Sequence, residues 1–127
     1  MNKTIAQHAM NVSVEAANLG FDWACAADVL DKLDEELQEI RQAMNNGDTQ
    51  DHLTEEIGDL YFALVNLTRK MQIDPDIAFQ KGITKFERRF NALKEIVASS
   101  NRQVNDLTAE ELDNIWRRVK SGENHGC

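Results

Sequence analysis

The chain has 127 residues, of which 42% are apolar and 28% charged, with six glycines and one proline, so we expect a single compact domain over residues 1–127. The net charge of −8 argues against a nucleic-acid partner, and no apolar run is long enough to cross a membrane. The only cysteines, Cys25 and Cys127, form neither a disulfide framework nor a zinc motif, and we therefore expect a cytoplasmic protein.

Helical periodicity runs through the whole chain and predicts an all-α fold. The first helix is expected over residues 4–19 and ends at Gly20, after which Phe21 and Trp23 form an aromatic turn. The second helix is expected over residues 28–45. Its apolar residues recur at steps of three and four, which is the spacing of a seam in a helix bundle.

The later helices carry their own start signals. The third helix, over residues 52–71, follows a short connection and is therefore expected to lie antiparallel to the second. Asp74 is predicted to cap a fourth helix that begins with Pro75, and Thr108 with Glu111 forms the capping box of a fifth. The expected fold is an antiparallel bundle of about five helices, with a four-helix core completed by oligomerisation.

Negative charge is concentrated in one quarter of the chain. Eleven acids and two bases lie between Asp28 and Asp59, whereas the segment from Pro75 to Ser99 carries more bases than acids. An acidic and a basic segment that fold together can hold a cation and an anion side by side.

Four acids form two pairs with helical spacing. Glu36 and Glu39 are three residues apart on the second predicted helix, and so are Glu56 and Asp59 on the third. Four carboxylates at the rim of an antiparallel hairpin repel one another unless a cation lies between them. Because all these ligand atoms are oxygens, the pattern favours Mg²⁺, with Mn²⁺ as a substitute. A solvated acidic face is the alternative interpretation.

Asn66 follows Asp59 by seven residues on the same stripe of the third predicted helix. It is either a residue of the candidate site or a core amide that bonds to the backbone. His8 and His52 have no partner at a useful spacing, and we assign neither a catalytic role.

Two further pairs have a four-residue spacing. Lys85 and Arg89 lie on one face of the fourth predicted helix, and Trp116 and Lys120 on one face of the fifth. Cations at this spacing can bind several oxygens of a polyphosphate. The alternatives are ion pairs with nearby acids and a core position for Trp116.

These residues resemble, in order and spacing, the MazG-type nucleoside triphosphate pyrophosphohydrolases of the all-α NTP pyrophosphatase superfamily. The acidic part is similar to the EExxE…ExxD signature of that family, and the resemblance extends over nearly the whole chain. The matching segments are EELQE at 35–39, EIGD at 56–59, GFDW at 20–23, GDLYFALVN at 58–66, KFERRF at 85–90 and the pair Trp116 and Lys120.

The resemblance implies one MazG domain that works as a homodimer or dimer of dimers. With Mg²⁺ it would cleave a nucleoside or deoxynucleoside triphosphate to the monophosphate and pyrophosphate, as house-cleaning of the nucleotide pool. The implied roles are metal ligation by Glu36, Glu39, Glu56 and Asp59, assistance by Glu35, phosphate binding by Lys85, Arg89 and Lys120, and a nucleotide site lined by Trp116 and Asn66.

Three alternatives are weighed against this hypothesis. A dUTPase-like or phosphoribosyl-ATP pyrophosphohydrolase-like specificity lies within the same superfamily. A non-catalytic helical interaction module would use its acids only for solvation. A di-iron carboxylate bundle is disfavoured because the sequence has no Glu-x-x-His motif.

Overall fold

In the computed structural model, which describes residues 2–124, the chain forms five α-helices and one short 3₁₀ turn. The helices are α1 (Ile5–Asn18), α2 (Ala26–Asn45), α3 (Gln50–Lys70), α4 (Pro75–Ser99) and α5 (Ala109–Asn124), and the 3₁₀ turn is Val104–Asp106. No strand occurs in the described range, so the predicted all-α class is confirmed. None of the helices found there combines the length and the apolar character needed to cross a bilayer.

Two helix starts are set by the side-chain caps that the sequence predicts. The carboxylate of Asp74 accepts the amide hydrogen of Ile77 at 3.2 Å, and Pro75 is the first residue of α4. At the start of α5, the hydroxyl of Thr108 accepts from the amide of Glu111 at 3.1 Å, and the Glu111 carboxylate accepts from the amide of Thr108 at 2.9 Å. Both predicted caps are confirmed.

Two other helices begin earlier than predicted. The helix α3 begins at Gln50 because Thr49 supplies the cap, with its hydroxyl accepting from the amide of His52 at 3.2 Å. The helix α2 begins at Ala26, and its N-cap residue, Cys25, makes no side-chain cap bond. The sequence contains a typical cap residue, Thr49, before α3, but it has no such residue at the start of α2.

The end of α3 is closed by a left-handed turn at Gln72, whose φ is 59°. The amide of Ile73 donates to the carbonyl of Thr68 at 2.8 Å, and the amide of Gln72 donates to the carbonyl of Arg69 at 3.1 Å. These two bonds form a Schellman motif, which satisfies carbonyls that the end of a helix otherwise leaves free.

The chain divides into two compact units, of which the first ends at Ala78 and the second begins at Phe79. In the first unit, α3 packs against both α2 and α1, and the short connection from Asn45 to Gln50 makes α2 and α3 antiparallel. The buried apolar side chains of this unit are Val29, Leu33, Ala43 and Ala63.

The second unit contains most of α4 together with α5. Leu93 and Val97 of α4 are buried. The rings of Phe86 and Trp116 pack together with their centroids 5.3 Å apart, which joins the two helices.

Much of the predicted apolar seam is not covered within one chain. Leu33 of α2 is buried, but Leu30, Leu37 and Met44 are 50%, 43% and 65% exposed. On α1, Ile5 is 89% exposed. The apolar residues of the predicted seam on α2 are therefore only partly buried within one chain.

Candidate functional site

Three carboxylates from α2 and α3 converge in the first unit. One oxygen from each of Glu36, Glu56 and Asp59 lies within 4.8 Å of the other two. Glu36 is only 4% exposed, Glu56 is half-buried and Asp59 is exposed, so the group extends from the core to the solvent. The structure thus brings together three of the four acids for which the sequence predicts metal ligation.

Two oxygens of this group are buried without a partner. Among the residues that the structure describes, neither Glu36 Oε2 nor Glu56 Oε2 has a hydrogen-bond partner. Burying a carboxylate oxygen costs free energy unless a donor or a cation compensates for the lost water. A hard divalent cation satisfies such oxygens directly, and the all-oxygen donor set therefore fits Mg²⁺ or Mn²⁺.

The opposite oxygen of each buried acid contacts a basic side chain. Lys32 Nζ lies 3.1 Å from Glu36 Oε1, and His52 Nε2 lies 3.2 Å from Glu56 Oε1. Hydrogen bonding to the Glu36 carboxylate raises the pKa of Lys32. The expectation that His52 has no spaced partner is wrong, since it lies four residues before Glu56 and four after Asp48.

Glu39 and Glu35 lie at the margin of the three-acid group. Glu39 is exposed, and its pKa is raised mainly by the negative charge of Glu36, with smaller effects of desolvation and of Glu56. Glu35 is also exposed and lies 3.8 Å from the ammonium of Lys32. The raised pKa of Glu39 shows that it shares the negative field of the group.

Asn66 is buried in α3 and takes part in a second polar cluster. Its side-chain oxygen accepts from the hydroxyl of Ser13, and its side-chain nitrogen donates to the carbonyl of Phe62 at 3.1 Å. The Ser13 hydroxyl in turn accepts from Arg69 Nε at 2.6 Å. Asn66 thus makes the backbone bond expected of a core amide, while its role in a nucleotide site stays a prediction.

Asp22 ties the aromatic turn to the end of α3. It accepts hydrogen bonds from the guanidinium of Arg69 and, at 2.7 Å, from Lys70 Nζ. These two cations hold the pKa of the Asp22 carboxyl well below its usual range. The turn thereby lies over a groove of about 250 Å³, which is lined by Ser13, Ala16, Phe21, Asp22, Trp23, Phe62 and Asn66. Sequence reasoning missed the roles of Ser13 and Arg69.

In the second unit, Arg89 already has an anionic partner. Arg89 Nε donates to Glu123 Oε2 at 2.7 Å, and Arg88 Nε donates to Glu123 Oε1 at 3.2 Å. Hydrogen bonds from Arg89 and then Arg88 lower the pKa of Glu123. The alternative of ion pairs with nearby acids thus applies to both arginines, and the acid involved, Glu123, lies on α5.

The other predicted residues of the second unit differ in exposure. Lys85 and Lys120 are exposed, whereas Trp116 is half-buried against Phe86. The indole of Trp116 therefore contributes to packing while part of its surface stays accessible.

Part of the chain matches a known protein family. Residues 26–93 match the MazG nucleotide pyrophosphohydrolase domain. This segment is more than half of the chain, and it includes α2, α3 and most of α4. It contains the three-acid group as well as Asn66 and Arg89.

Curated relatives extend the similarity beyond this segment. The chain is 40% identical over 119 residues to the nucleoside triphosphate pyrophosphohydrolase of Escherichia coli K12. It is 35% identical over 115 residues to the nucleoside triphosphate pyrophosphohydrolase/pyrophosphatase MazG of Thermotoga maritima. Both alignments cover 91% of this chain but 44% of the relative, so the chain spans less than half the length of these relatives.

A third relative is the uncharacterized protein YabN of Bacillus subtilis. It is 35% identical to this chain over 72 residues, which are 57% of the chain and 15% of the relative.

Proposed function

Because the chain belongs to the MazG nucleotide pyrophosphohydrolase family, we propose that it hydrolyses nucleoside 5′-triphosphates to nucleoside monophosphate and pyrophosphate. The observation that carries the proposal is the group of Glu36, Glu56 and Asp59 with its two buried, unpartnered oxygens. In the proposed reaction a water oxygen bonds to the α-phosphorus, and the bond from that phosphorus to the bridging α,β-oxygen breaks as pyrophosphate leaves.

The proposed metal is Mg²⁺, for which Mn²⁺ can substitute. Glu36, Glu56 and Asp59 would hold it, with Glu39 contributing from the margin of the group. When bound, the ion supplies positive charge that stabilises the phosphate oxygens as the bond breaks. The burial of Glu36 fixes one side of the site, and the exposure of Asp59 leaves the other side accessible to a triphosphate.

Other residues are proposed to position the reactants. Glu35, which is exposed beside Lys32, would help to orient the attacking water. Lys85, Arg89 and Lys120 would bind phosphate oxygens. Trp116 and Asn66 would line the site of the nucleotide. Catalysis of this kind is electrostatic and positional, so it requires no covalent nucleophile.

The proposed molecule is a single MazG-like domain over residues 1–127 that acts as a homodimer or a dimer of dimers in the cytoplasm. Exposed apolar side chains support the assembly, since Ile5, Leu19 and Tyr61 are 89%, 81% and 60% exposed in one chain. A second copy that covers α1 and α3 would complete a four-helix core. The proposed biological role is removal of unwanted nucleotides from the pool.

A panel of nucleoside and deoxynucleoside triphosphates and phosphoribosyl-ATP with Mg²⁺, together with a calorimetric titration with Mg²⁺, tests this function. We expect monophosphate and pyrophosphate as products, with activity lost on addition of a chelator. Formation of diphosphate and phosphate would overturn the proposed bond cleavage. Activity restricted to dUTP or phosphoribosyl-ATP would establish the corresponding specificity, and absence of both turnover and Mg²⁺ binding would favour a non-catalytic interaction module.

A further inference from the structure

Glu36 and Glu56, the two least exposed acids of the three-acid group, each contact a basic residue of their own helix. Each carries a basic residue four positions earlier on its own helix, Lys32 for Glu36 and His52 for Glu56. In each case the base contacts Oε1, at 3.1 Å and 3.2 Å, and Oε2 is the buried oxygen without a partner. The same contact to Oε1 thus occurs on α2 and on α3, although each base also has a second acid nearby, with Lys32 Nζ 3.8 Å from Glu35 Oε2 and His52 Nε2 3.5 Å from Asp48 Oδ2.

The two bases lie on opposite sides of the group. Each base precedes its acid by four residues, so its Cα lies about 6 Å from that of the acid along the helix axis. Because α2 and α3 are antiparallel, the two displacements point in opposite directions along the hairpin. Lys32 and His52 therefore flank the carboxylates and leave the space between the helices to the unpartnered oxygens.

The order of base and acid in these two pairs is the one that stabilises a helix less. An ion pair at four-residue spacing supports a helix better when the acid comes first, in keeping with the helix dipole. The pair of Asp113 and Arg117 on α5 has that order, and both its side chains are exposed. In the pairs of Lys32 with Glu36 and of His52 with Glu56 the base comes first, whereas the additional contact of His52 is to Asp48, which precedes it; the Glu36 side chain is only 5% exposed.

We propose that Lys32 and His52 are positioning residues, each of which holds one oxygen of a metal-binding carboxylate and so keeps the second oxygen turned towards the cation. This inference rests on the proposed function, because it assumes that the three acids bind a divalent ion. It assigns to the chain's own bases the orienting role that hydrogen-bond partners of metal ligands commonly have.

The alternative is that Lys32 acts as an internal competitor for the metal. An ammonium group at 3.1 Å from Glu36 offsets part of the negative charge that a divalent ion would meet. A competitor and a positioning residue predict opposite changes when the ammonium is removed, since the first predicts tighter metal binding and the second predicts weaker binding.

Calorimetric titration with Mn²⁺ alone, without nucleotide, separates these cases. We expect Lys32→Met, which keeps an unbranched side chain of similar length, to weaken Mn²⁺ binding by about tenfold. Lys32→Arg retains a donor and is expected to bind Mn²⁺ within about threefold of the wild type. His52→Leu is expected to have a smaller effect than Lys32→Met, because the His52 side chain is 45% exposed.

Arg117→Met is the matched control, since it removes the base of an exposed ion pair on α5 and the same single charge. We expect it to bind Mn²⁺ like the wild type. Melting of the metal-free variants provides the second measurement, because a purely structural role would lower the melting temperature without a specific loss of affinity. Should Lys32→Met fail to fold, His52→Leu carries the same test.

Unchanged or tighter Mn²⁺ binding by folded Lys32→Met would overturn the positioning role while leaving the proposed metal site intact. Absence of Mn²⁺ binding by the wild type would overturn the metal site, and the positioning role with it.

Discussion

The acids of the first unit and the bases of the second differ in how their charges are balanced. Glu36 Oε2 and Glu56 Oε2 are buried without a partner in the part of the chain that the structure describes. Arg89, by contrast, already donates to Glu123 at 2.7 Å. Lys32 and His52 contact only the Oε1 atoms of these two acids, so the Oε2 atoms stay available to a cation, whereas Arg89 has an internal anion that a phosphate would have to displace.

This difference indicates where binding free energy is gained. A cation that enters the acidic group satisfies oxygens that otherwise have no partner, so coordination adds contacts without first breaking any at those atoms. A phosphate that binds Arg89 exchanges one charged hydrogen bond for another, and the net gain is smaller. Substitutions on the two sides should therefore have effects of different size.

Removal of one acid of the group is expected to have the largest effect. Asp59→Ala should weaken Mn²⁺ binding by at least about 100-fold, since loss of an orienting partner alone costs 10–100-fold at metal sites. We expect turnover to be abolished with helicity and melting temperature nearly unchanged, because Asp59 is exposed. Calorimetry, circular dichroism and product analysis measure these three quantities.

Glu55→Ala is the matched control for that substitution, because Glu55 is an exposed acid on the same helix outside the three-acid group. It should retain wild-type metal binding. Wild-type turnover by Asp59→Ala would exclude Asp59 from the mechanism.

Release of Arg89 from its internal partner is expected to have a smaller effect. Glu123→Gln removes the charge that competes with phosphate and should lower KM by about threefold with kcat unchanged, as for a partly exposed ion pair. Steady-state kinetics measure both parameters. Asp113→Asn, an equal charge change at an exposed pair on α5, is the control and should leave both unchanged. A higher KM for Glu123→Gln would instead mean that Glu123 orients Arg89.

Asp22 provides a third case, in which the charges are already balanced by ion pairs within the first unit. Asp22→Asn should destabilise the protein at pH 7 by about 1 kcal/mol after allowance for solvent screening, with little change in metal affinity. Because the pKa of Asp22 is lowered on folding, its contribution is present above the ordinary value of 3.8 and is lost as the pH falls below it.

Urea unfolding of Asp22→Asn and wild type at pH 7 and pH 3 measures this dependence. The difference between the two proteins should be smaller at pH 3. Glu15→Gln, which changes an exposed acid on α1, is expected to match the wild type at both pH values. A difference that stays constant with pH would show that the ion pairs of Asp22 do not stabilise the fold.

Two helix starts could be predicted from a local side-chain cap, whereas the start of α3 was predicted at residue 52 although Thr49 caps it. Asp74 and Thr108 could be identified because cap bonds join residues only a few positions apart. The start of α2 could not be identified, since Cys25 makes no such bond. Periodicity also showed which face of each helix is apolar, but it does not show what covers that face. Leu30 and Met44 lie on the apolar face of α2 and are nevertheless exposed in one chain.

The candidate site was predictable to the extent that it depends on helical spacing. Glu36, Glu56 and Asp59 meet because two spaced pairs lie on adjacent antiparallel helices. The four-residue spacing of Lys32 from Glu36 is equally visible in the sequence, but such pairs are common on solvated helices and indicate little alone. The bond between Arg89 and Glu123 joins residues 34 positions apart and depends on how α4 and α5 pack.

The left-handed turn at Gln72 closes α3 immediately after the two bases that hold Asp22. The amide protons of Gln72 and Ile73 are both engaged in that closure. We therefore expect fraying of the helix end to accompany release of the aromatic turn, so that these two amides exchange with deuterium at a common rate that reports opening of this corner as one cooperative event.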